Sequence, residues 1–516
     1  MSGVQPGGAT PTGGGAAPAW RPLKALLGGA FDVPEALEVS DLTLDSRSVR
    51  PGAAFLAVQG QSQHGLAFAA RAVEAGARAI LWEPAPGLEP PRLGTGVFVL
   101  AVPGLAAQAG YIADRFFGAP SARLAVTGIT GTNGKTTSAW LLASALNACG
   151  RRAAYLGTLG SGLPGQLQPG THTTPDAVTL QRRLAELRDA GAEAVAMEVS
   201  SHALVQQRCA GVRFQSAAFT NLTREHLDYH GDMASYADAK ALLLEWPTLA
   251  ARVINVDDDT GALFAARHRD GAQLVVAARH SDPAQRAPGA RYVRALRAAP
   301  EPAGLSIELD TSWGPAMLRS ELLGEFNVDN LLLVLGLLLA AGLALPEACG
   351  ALGECRAPPG RMQVSGGSGL PLAIVDYAHT PDALDKALRA VRAHCGGRVL
   401  CVFGCGGERD RGKRAEMGRV AESLADALWI TDDNPRGEDP DVIVAQIVAG
   451  LSAPQRAVVQ HDRAAAIRAA LAAAQPGDVV LVAGKGHEDY QLVGAEKRAF
   501  SDLAQVRAAL GERSAA

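Results

Sequence analysis

Apolar residues in this chain fall into short runs, broken by glycine-rich turns and by longer stretches of helical spacing. In a first region, 20–119, the runs Ala53–Val58, Ala79–Trp82 and Gly96–Val102 predict strands between alanine-rich helices. In a second, 120–357, the strands are predicted at Leu124–Val126, Ala194–Val199, Ser216–Thr220 and Arg252–Val256. In a third, 358–516, they are predicted at Leu372–Val375, Arg398–Phe403, Ala427–Thr431 and Asp478–Val482. Strand-length runs alternating with helical patterns are the mark of α/β folds with parallel sheets. Pro120-Ser121 punctuates the first junction. Ala357-Pro358-Pro359-Gly360 cannot continue a helix and predicts a hinge at the second. The longest apolar run, Leu331–Leu345, falls short of the roughly 20 residues a membrane span needs and predicts a buried helix.

Composition narrows the classes. A chain of 516 residues, 48% hydrophobic, is too long for one core and suggests about three domains. A net charge of −4 and a pI near 6.3, with no basic block, argue against nucleic acid as the main partner. Residues 1–19 are mostly Gly, Ala, Pro and Thr, without a basic start or an apolar core. They predict a disordered tail and not a signal peptide. The seven cysteines form no C-x-x-C pair and read as reduced thiols. The expectation is a soluble, cytoplasmic monomer with no membrane span.

The most informative stretch is Leu124-Ala-Val-Thr-Gly-Ile-Thr-Gly-Thr-Asn-Gly-Lys-Thr-Thr137. Here a strand, a glycine loop and a helix opened by Lys135 make a phosphate cradle. Backbone N–H groups converge on oxygens, the ammonium neutralises charge and a Thr hydroxyl can ligate Mg²⁺. The usual P-loop spacing calls for Gly at 129, where this chain has Ile129. Glu198 ends a strand-like run, a position suited to holding Mg²⁺ beside a phosphate loop, although a surface glutamate fits the residues equally. His226 and His230 stand at i, i+4, but Leu227 replaces the glutamate that a zinc-protease helix requires. Lys240 lies on a helical pattern, where a lone lysine is ordinarily solvated. Thr171-His-Thr-Thr-Pro175 reads as an N-cap before a helix near Pro175. Gly404–Lys413 is an arginine-rich glycine loop that could take an anion. Asp433-Asn-Pro-Arg436 follows a strand. Its Asn-Pro turn would fix a guanidinium suited to a carboxylate.

Gly-Thr-Asn-Gly-Lys-Thr-Thr after a strand resembles the ATP loop of the Mur ligases, which build the peptidoglycan stem peptide. The resemblance extends from about residue 40 to 502 through ordered motifs. It implies a three-domain α/β fold: a UDP-substrate-binding domain, a central ATP-binding domain on a P-loop-type parallel sheet and a Rossmann-like, amino-acid-binding C-terminal domain. It implies ATP contacts from Gly131, Thr132, Asn133, Gly134, Lys135, Thr136 and Thr137, with Arg361 and Asp376 joining from the third domain. Lys135, Glu198, His226 and Lys240 would be catalytic. Thr136, Glu198, His226 and a carboxylated Lys240 would hold Mg²⁺. The uridine-linked substrate would meet Leu44, Ser46, Gln61, Ser62, Gln63, Thr173, Thr174, Ser200, Gln206 and Arg208. Gln61-Ser-Gln63 departs from the His-Gln-Ala common in relatives. Asp433, Asn434, Pro435 and Arg436 are similar to the motif of members that add meso-diaminopimelate, and Arg409, Gly484 and Glu488 match further contacts with that amino acid. The implied reaction is ATP-dependent amide formation between meso-2,6-diaminopimelate and the D-Glu γ-carboxylate of UDP-MurNAc-L-Ala-D-Glu, through an acyl phosphate. Rival readings are a lysine-adding or MurF-type ligase, a folylpolyglutamate synthase-like ligase and a nucleotide-binding regulator without ligation.

Overall fold

The computed structural model describes residues 20–515 apart from 61–62, 90–91, 95, 171, 302–303 and 368. The tail 1–19 and the substrate positions Gln61 and Ser62 lie outside the described residues. The chain forms two compact units. One holds the residues up to Arg123 together with Pro175–Glu186 and Val205–Val212. The other holds Leu124–Thr174, Leu187–Leu204 and everything from Arg213 onward.

The first unit carries a parallel sheet in the order Asp41–Thr43, Ala53–Ala57, Ala79–Trp82, Phe98–Ala101. Its middle strands are buried along their whole length, as a sheet covered on both faces requires. The helix Leu105–Phe116 packs Leu105, Ala109, Ile112 and Ala113 into that core, and Ala177 and Val178 join it from far along the chain. Arg182, also in this unit, reaches Asp41 at 2.6 Å and the Leu42 carbonyl at 2.8 Å.

The second unit contains two larger sheets. Among the described residues the first has ten strands. Its parallel heart runs Arg291–Glu301, Gln273–Ala278, Ala251–Asn255, Phe214–Phe219, Ala125–Thr130, Ala194–Glu198, Ala153–Gly157. Antiparallel strands extend both ends: Gly304–Thr311 and Ala316–Ser320 on one side, Gly160–Gly162 on the other. The helices Lys135–Ala148 and Phe326–Ala340 cover one face and share a single apolar core with it. The apolar run Leu331–Leu345 is buried as expected as far as Leu339, but it exposes Ala341, Gly342 and Ala344 and is not one helix. The first helix ends at Ala340, Gly342 turns with φ 87°, and a second helix, Leu345–Gly353, follows.

The last sheet has the order Gln363–Gly366, Leu372–Asp376, Val479–Ala483, Val399–Phe403, Ala427–Ile430, Ala457–Val459, parallel after its first strand. The late strand Val479–Ala483 is inserted between two early ones, so a topological switch point lies at its carboxyl end, where open α/β sheets bind ligands. Behind that end, Arg463 and Asp502 form a fully buried ion pair at 2.7 Å, with Arg463 also donating to the Ala483 carbonyl at 2.9 Å. The strands expected from the sequence in this sheet are all present, with ends shifted by a residue.

Candidate active site

The strand Ala125–Thr130 runs into the loop 131–134 and then into the helix Lys135–Ala148. The loop needs its glycines. Gly131 has φ 144° and Gly134 has φ 84°, and a Cβ on either would collide with Thr220 Oγ1 or Asn330 Oδ1 respectively. A neighbouring loop fastens it: Thr132 N donates to Asn221 O at 2.8 Å, Asn133 N to Asn221 Oδ1 at 3.0 Å and Thr220 Oγ1 to Asn133 O at 2.6 Å. Lys135 Nζ donates to the carbonyls of Gly131 and Thr132, each at 2.8 Å. Burial lowers the pKa of this ammonium. Glu198 and Glu225 oppose the shift and the Arg361 guanidinium adds to it.

Glu198 ends its strand fully buried, not as a surface residue. Its Oε2 accepts from Thr136 Oγ1 at 2.9 Å and from Thr158 Oγ1 at 3.2 Å. Its Oε1 accepts from Thr158 N at 2.9 Å and from the Tyr155 hydroxyl. Burial, and then the adjacent Glu198 charge, push the Tyr155 phenol well above its ordinary pKa, so it stays a donor. The Thr pair expected at the substrate is tied to the same residue, Thr173 through Thr158 and Thr174 through the Glu198 main-chain carbonyl. Thr173 Oγ1 lies 3.0 Å from Thr158 Oγ1, and Thr174 Oγ1 donates to Glu198 O at 3.0 Å and accepts from Ser200 N at 3.1 Å. The cap before the following helix comes from Asp176, whose Oδ1 accepts from Val178 N and Thr179 N at 3.0 Å. The threonines are therefore left to Glu198, and the helix starts at Ala177.

Lys240 is buried on the helix Met233–Leu244, contrary to the solvated lysine its pattern alone suggests. Its Nζ donates to Gly131 O at 2.7 Å and sits 4.4 Å from the Tyr236 ring centroid. Burial, reinforced by the charge of Lys135, lowers its pKa to about 6. The amine is thus mostly uncharged at neutral pH. His226 has a left-handed backbone (φ 56°) and belongs to an aromatic cluster: its ring centroid is 4.9 Å from that of His202 and 6.1 Å from that of Tyr236. His230 stacks on Tyr236 at 5.0 Å and pairs with Ser201 Oγ at 2.9 Å.

A cavity of about 540 Å³ gathers Thr132–Thr137, Thr173, Glu198, Arg361 and Asp376 around one space, together with Asn221 and Asn330. Gly131, His226 and Lys240 are outside its lining. Arg361 stacks over the Tyr377 ring at 4.5 Å, and its buried Nε has no hydrogen-bond partner among the described residues. Asp376 accepts from Met362 N and Ala378 N, both at 2.8 Å, yet burial raises its pKa. The donor set suits Mg²⁺, since Thr136 and Glu198 present hard oxygens side by side at the wall of this cavity. No three His, Cys, Asp or Glu side chains converge as a metal site among the described residues. Tyr155, Thr158, Asn221 and Asn330 escaped the sequence reading. Only the place of Thr158, just past an apolar run, signals a role.

At the switch point of the last sheet the expected amino-acid residues also meet. Asn434 Nδ2 donates to Glu488 Oε2 at 2.8 Å across 54 residues of chain. Asp433 is buried, which raises its pKa, and a Cβ on Gly484 would sit 2.6 Å from its Oδ2. Arg436 has φ 54° and donates from Nη1 to Gly407 O at 2.8 Å. Its Nη1 and the Cγ of the exposed Arg409 flank Gly406, at 2.9 and 3.7 Å from where a Cβ would stand. Pro435, in the turn before Arg436, is buried, and its carbonyl packs against Gly407.

The remaining expected substrate residues belong to the first unit. Leu44 packs against its core, and the buried Ser46 opens a short 3-10 turn capped by Asp45. Gln63 is exposed and its carbonyl accepts from Gly60 N at 3.1 Å. Arg208 Nε and Nη2 donate to Gln206 Oε1 at 2.9 and 2.6 Å. Ser200 belongs to the second unit, where its Oγ accepts from Ala203 N at 3.2 Å.

Comparison with known proteins agrees with this architecture. Residues 38–116 match the catalytic-domain model of the Mur ligase family, 129–338 the Mur ligase middle domain and 360–486 the Mur ligase glutamate ligase domain. The chain belongs to the Mur ligase family. It is 48% identical over 495 residues to the UDP-N-acetylmuramoyl-L-alanyl-D-glutamate–2,6-diaminopimelate ligase of Ectopseudomonas mendocina, covering 96% of this chain and 99% of that one. It is 50% identical over 480 residues to the ligase of the same name from Xanthomonas campestris pv. campestris, covering 93% and 95%. A solved structure bearing that name is similar with a TM-score of 0.71 at 34% identity, over 96% of this chain and 100% of the other.

Proposed function

We propose that this chain is the ATP-dependent ligase that adds meso-2,6-diaminopimelate to the D-Glu γ-carboxylate of UDP-MurNAc-L-Ala-D-Glu in peptidoglycan precursor synthesis. The observation that carries the reading is the group at the switch point, where Arg436 offers a guanidinium beside the joined Asn434 and Glu488. An amino acid whose far end bears both a carboxylate and an ammonium needs this pairing of cation and anion. Lysine offers only the ammonium. Likeness to relatives named for the same reaction supports the reading.

The division of labour follows the three sequence regions, with 20–119 taking the uridine end, 120–357 the ATP and 358–516 the amino acid. ATP phosphorylates the γ-carboxylate, and the diaminopimelate amine then displaces phosphate from the acyl phosphate. Lys135 neutralises the phosphoryl group in transfer once its ammonium leaves the loop carbonyls, and the loop N–H groups orient the phosphate chain. Thr136 and Glu198 would hold Mg²⁺, with His226 and a carbamate on Lys240 completing the family set. Bound there, the ion screens the charge on the phosphates. The uncharged amine of Lys240 is the form that can add CO₂, which supports that carbamate. No helix among the described residues is long and apolar enough to cross a membrane. The enzyme works in the cytoplasm as a monomer. ADP release measured with UDP-MurNAc-L-Ala-D-Glu and a panel of diamino acids tests the proposal. Release that depends on meso-diaminopimelate is expected, and release indifferent to the amino acid overturns it.

A further inference from the structure

Lys485 is completely buried, at 0% exposure, and played no part in the reading of the sequence. Its ammonium has three hydrogens to place. One goes to Glu488 Oε2 at 2.8 Å and one to Asn434 Oδ1 at 3.0 Å, while the Tyr490 ring lies 5.5 Å away. Asn434 Oδ1 takes a second donor, Leu492 N, at 2.9 Å. With two donors on Oδ1, the amide has one orientation open to it, and Nδ2 must face Glu488. Glu488 Oε2 is then saturated by Asn434 Nδ2 and Lys485 Nζ. Oε1 makes no hydrogen bond among the described residues.

We infer that Lys485 is a positioning residue for the amino-acid site: its buried ammonium orients the Asn434 amide and the Glu488 carboxylate so that one oxygen of Glu488 is presented to the distal ammonium of diaminopimelate. The inference rests on the diaminopimelate reading above. Without Lys485, Glu488 loses a donor and Asn434 Oδ1 loses one of its two. A free carboxylate would then be able to swing, and a buried network with one member missing is worse than none.

The test uses the full-length enzyme and Lys485→Met, which keeps the length and apolar stem of the side chain. Steady-state ADP release is measured with diaminopimelate varied at saturating ATP and UDP-MurNAc-L-Ala-D-Glu. Positional isotope exchange in ATP, followed with the UDP substrate and without diaminopimelate, reports the first half-reaction alone. The KM for diaminopimelate should rise about tenfold to a hundredfold, the size of one charge-assisted hydrogen bond, while isotope exchange and the KM for ATP stay as in wild type. Glu488→Gln should raise the same KM, and the double variant should be no worse than the poorer single one, because both changes break one connection. An unchanged KM for diaminopimelate, additive losses in the double variant, or loss of isotope exchange together with ligation each overturn the inference. Failure of the wild-type enzyme to use diaminopimelate is a separate result, which strikes the proposed function.

Discussion

Replacing Arg436 by glycine separates substrate selection from stability. Arg436 holds a left-handed backbone, φ 54°, which costs a non-glycine residue about 1–2 kcal/mol. Glycine relieves that strain. It also loosens the unfolded chain by roughly 0.4–1 kcal/mol and forfeits the bond from Nη1 to Gly407 O, about 1 kcal/mol more. These terms oppose each other, so the unfolding free energy should change by no more than about 1 kcal/mol. Activity should respond differently. A half-buried guanidinium with one protein bond keeps its remaining N–H groups for a carboxylate. A bidentate pair of that kind is worth roughly 2–4 kcal/mol, or about 30-fold to nearly a thousandfold in kcat/KM. Arg436→Gly should therefore lose about that factor with diaminopimelate and change little with lysine. Arg436→Lys should recover only part of it, since an ammonium cannot make the fork. The assay is ADP release with each amino acid, set beside urea unfolding of the same preparations. Wild-type enzyme that used lysine as well as diaminopimelate would refute the reasoning. So would a glycine variant whose activity fell only in proportion to its stability.

Lys135→Ala should lower ligation by about 10²-fold or more, the usual result of removing one preorganised charge facing a transferring phosphoryl group, and normal turnover would dissociate the loop from ATP. Lys240→Ala should be nearly inactive, with partial recovery on addition of acetate, and active wild-type protein should carry the mass of one added CO₂. Because its amine has a pKa near 6, activity should also fall as pH drops through that value, and an unmodified lysine in active enzyme would exclude the carbamate. Glu438 makes a third case. Its hydrogen bonds from the buried Arg414 and from Glu408 N hold its pKa down to about 2. The stability it adds is full above the ordinary carboxylate pKa and is lost as pH falls toward 2. Glu438→Gln should lower the urea midpoint near pH 6 and flatten its decline in acid, and parallel curves for the two proteins would count against the pair.

The phosphate loop was legible because its chemistry is local. A few consecutive residues set the turn, the helix start and the ammonium, and the structure returns them in the expected order. Leu372–Asp376, Val399–Phe403, Ala427–Ile430 and Val479–Ala483 of the last sheet were legible for the same reason, each being a continuous apolar run, whereas its edge strands Gln363–Gly366 and Ala457–Val459 were not read. The strands Arg291–Glu301, Gly304–Thr311 and Ala316–Ser320, antiparallel to one another, were not legible, because their faces mix exposed and buried positions and they gain identity only from partners. The buried parallel strands Ala153–Gly157 and Gln273–Ala278 were passed by as well, since a short apolar run does not by itself separate a strand from a buried helix segment. Lys240 and Lys485 show the limit most plainly. A lysine buried under an aromatic ring and a lysine in water look alike in sequence, and only packing distinguishes them. The joining of Pro175–Glu186 and Val205–Val212 to the first unit is equally non-local, because no composition change marks those stretches.

The ion pair of Arg463 with Asp502 constrains how this gene can drift. Both side chains are wholly buried, so losing either partner strands a charge at a cost of about 3–5 kcal/mol. Set against a typical total of about 5–15 kcal/mol, that loss would leave few lineages above the folding threshold. Replacing both together with apolar residues of similar bulk is often neutral. The two positions are thus epistatic: each alone is nearly frozen, while the pair is free to change in one step. Populations must cross that valley by a rare double event or by first accumulating spare stability elsewhere. Deep mutational scanning limited to single substitutions would score both sites as invariant and miss the freedom they share.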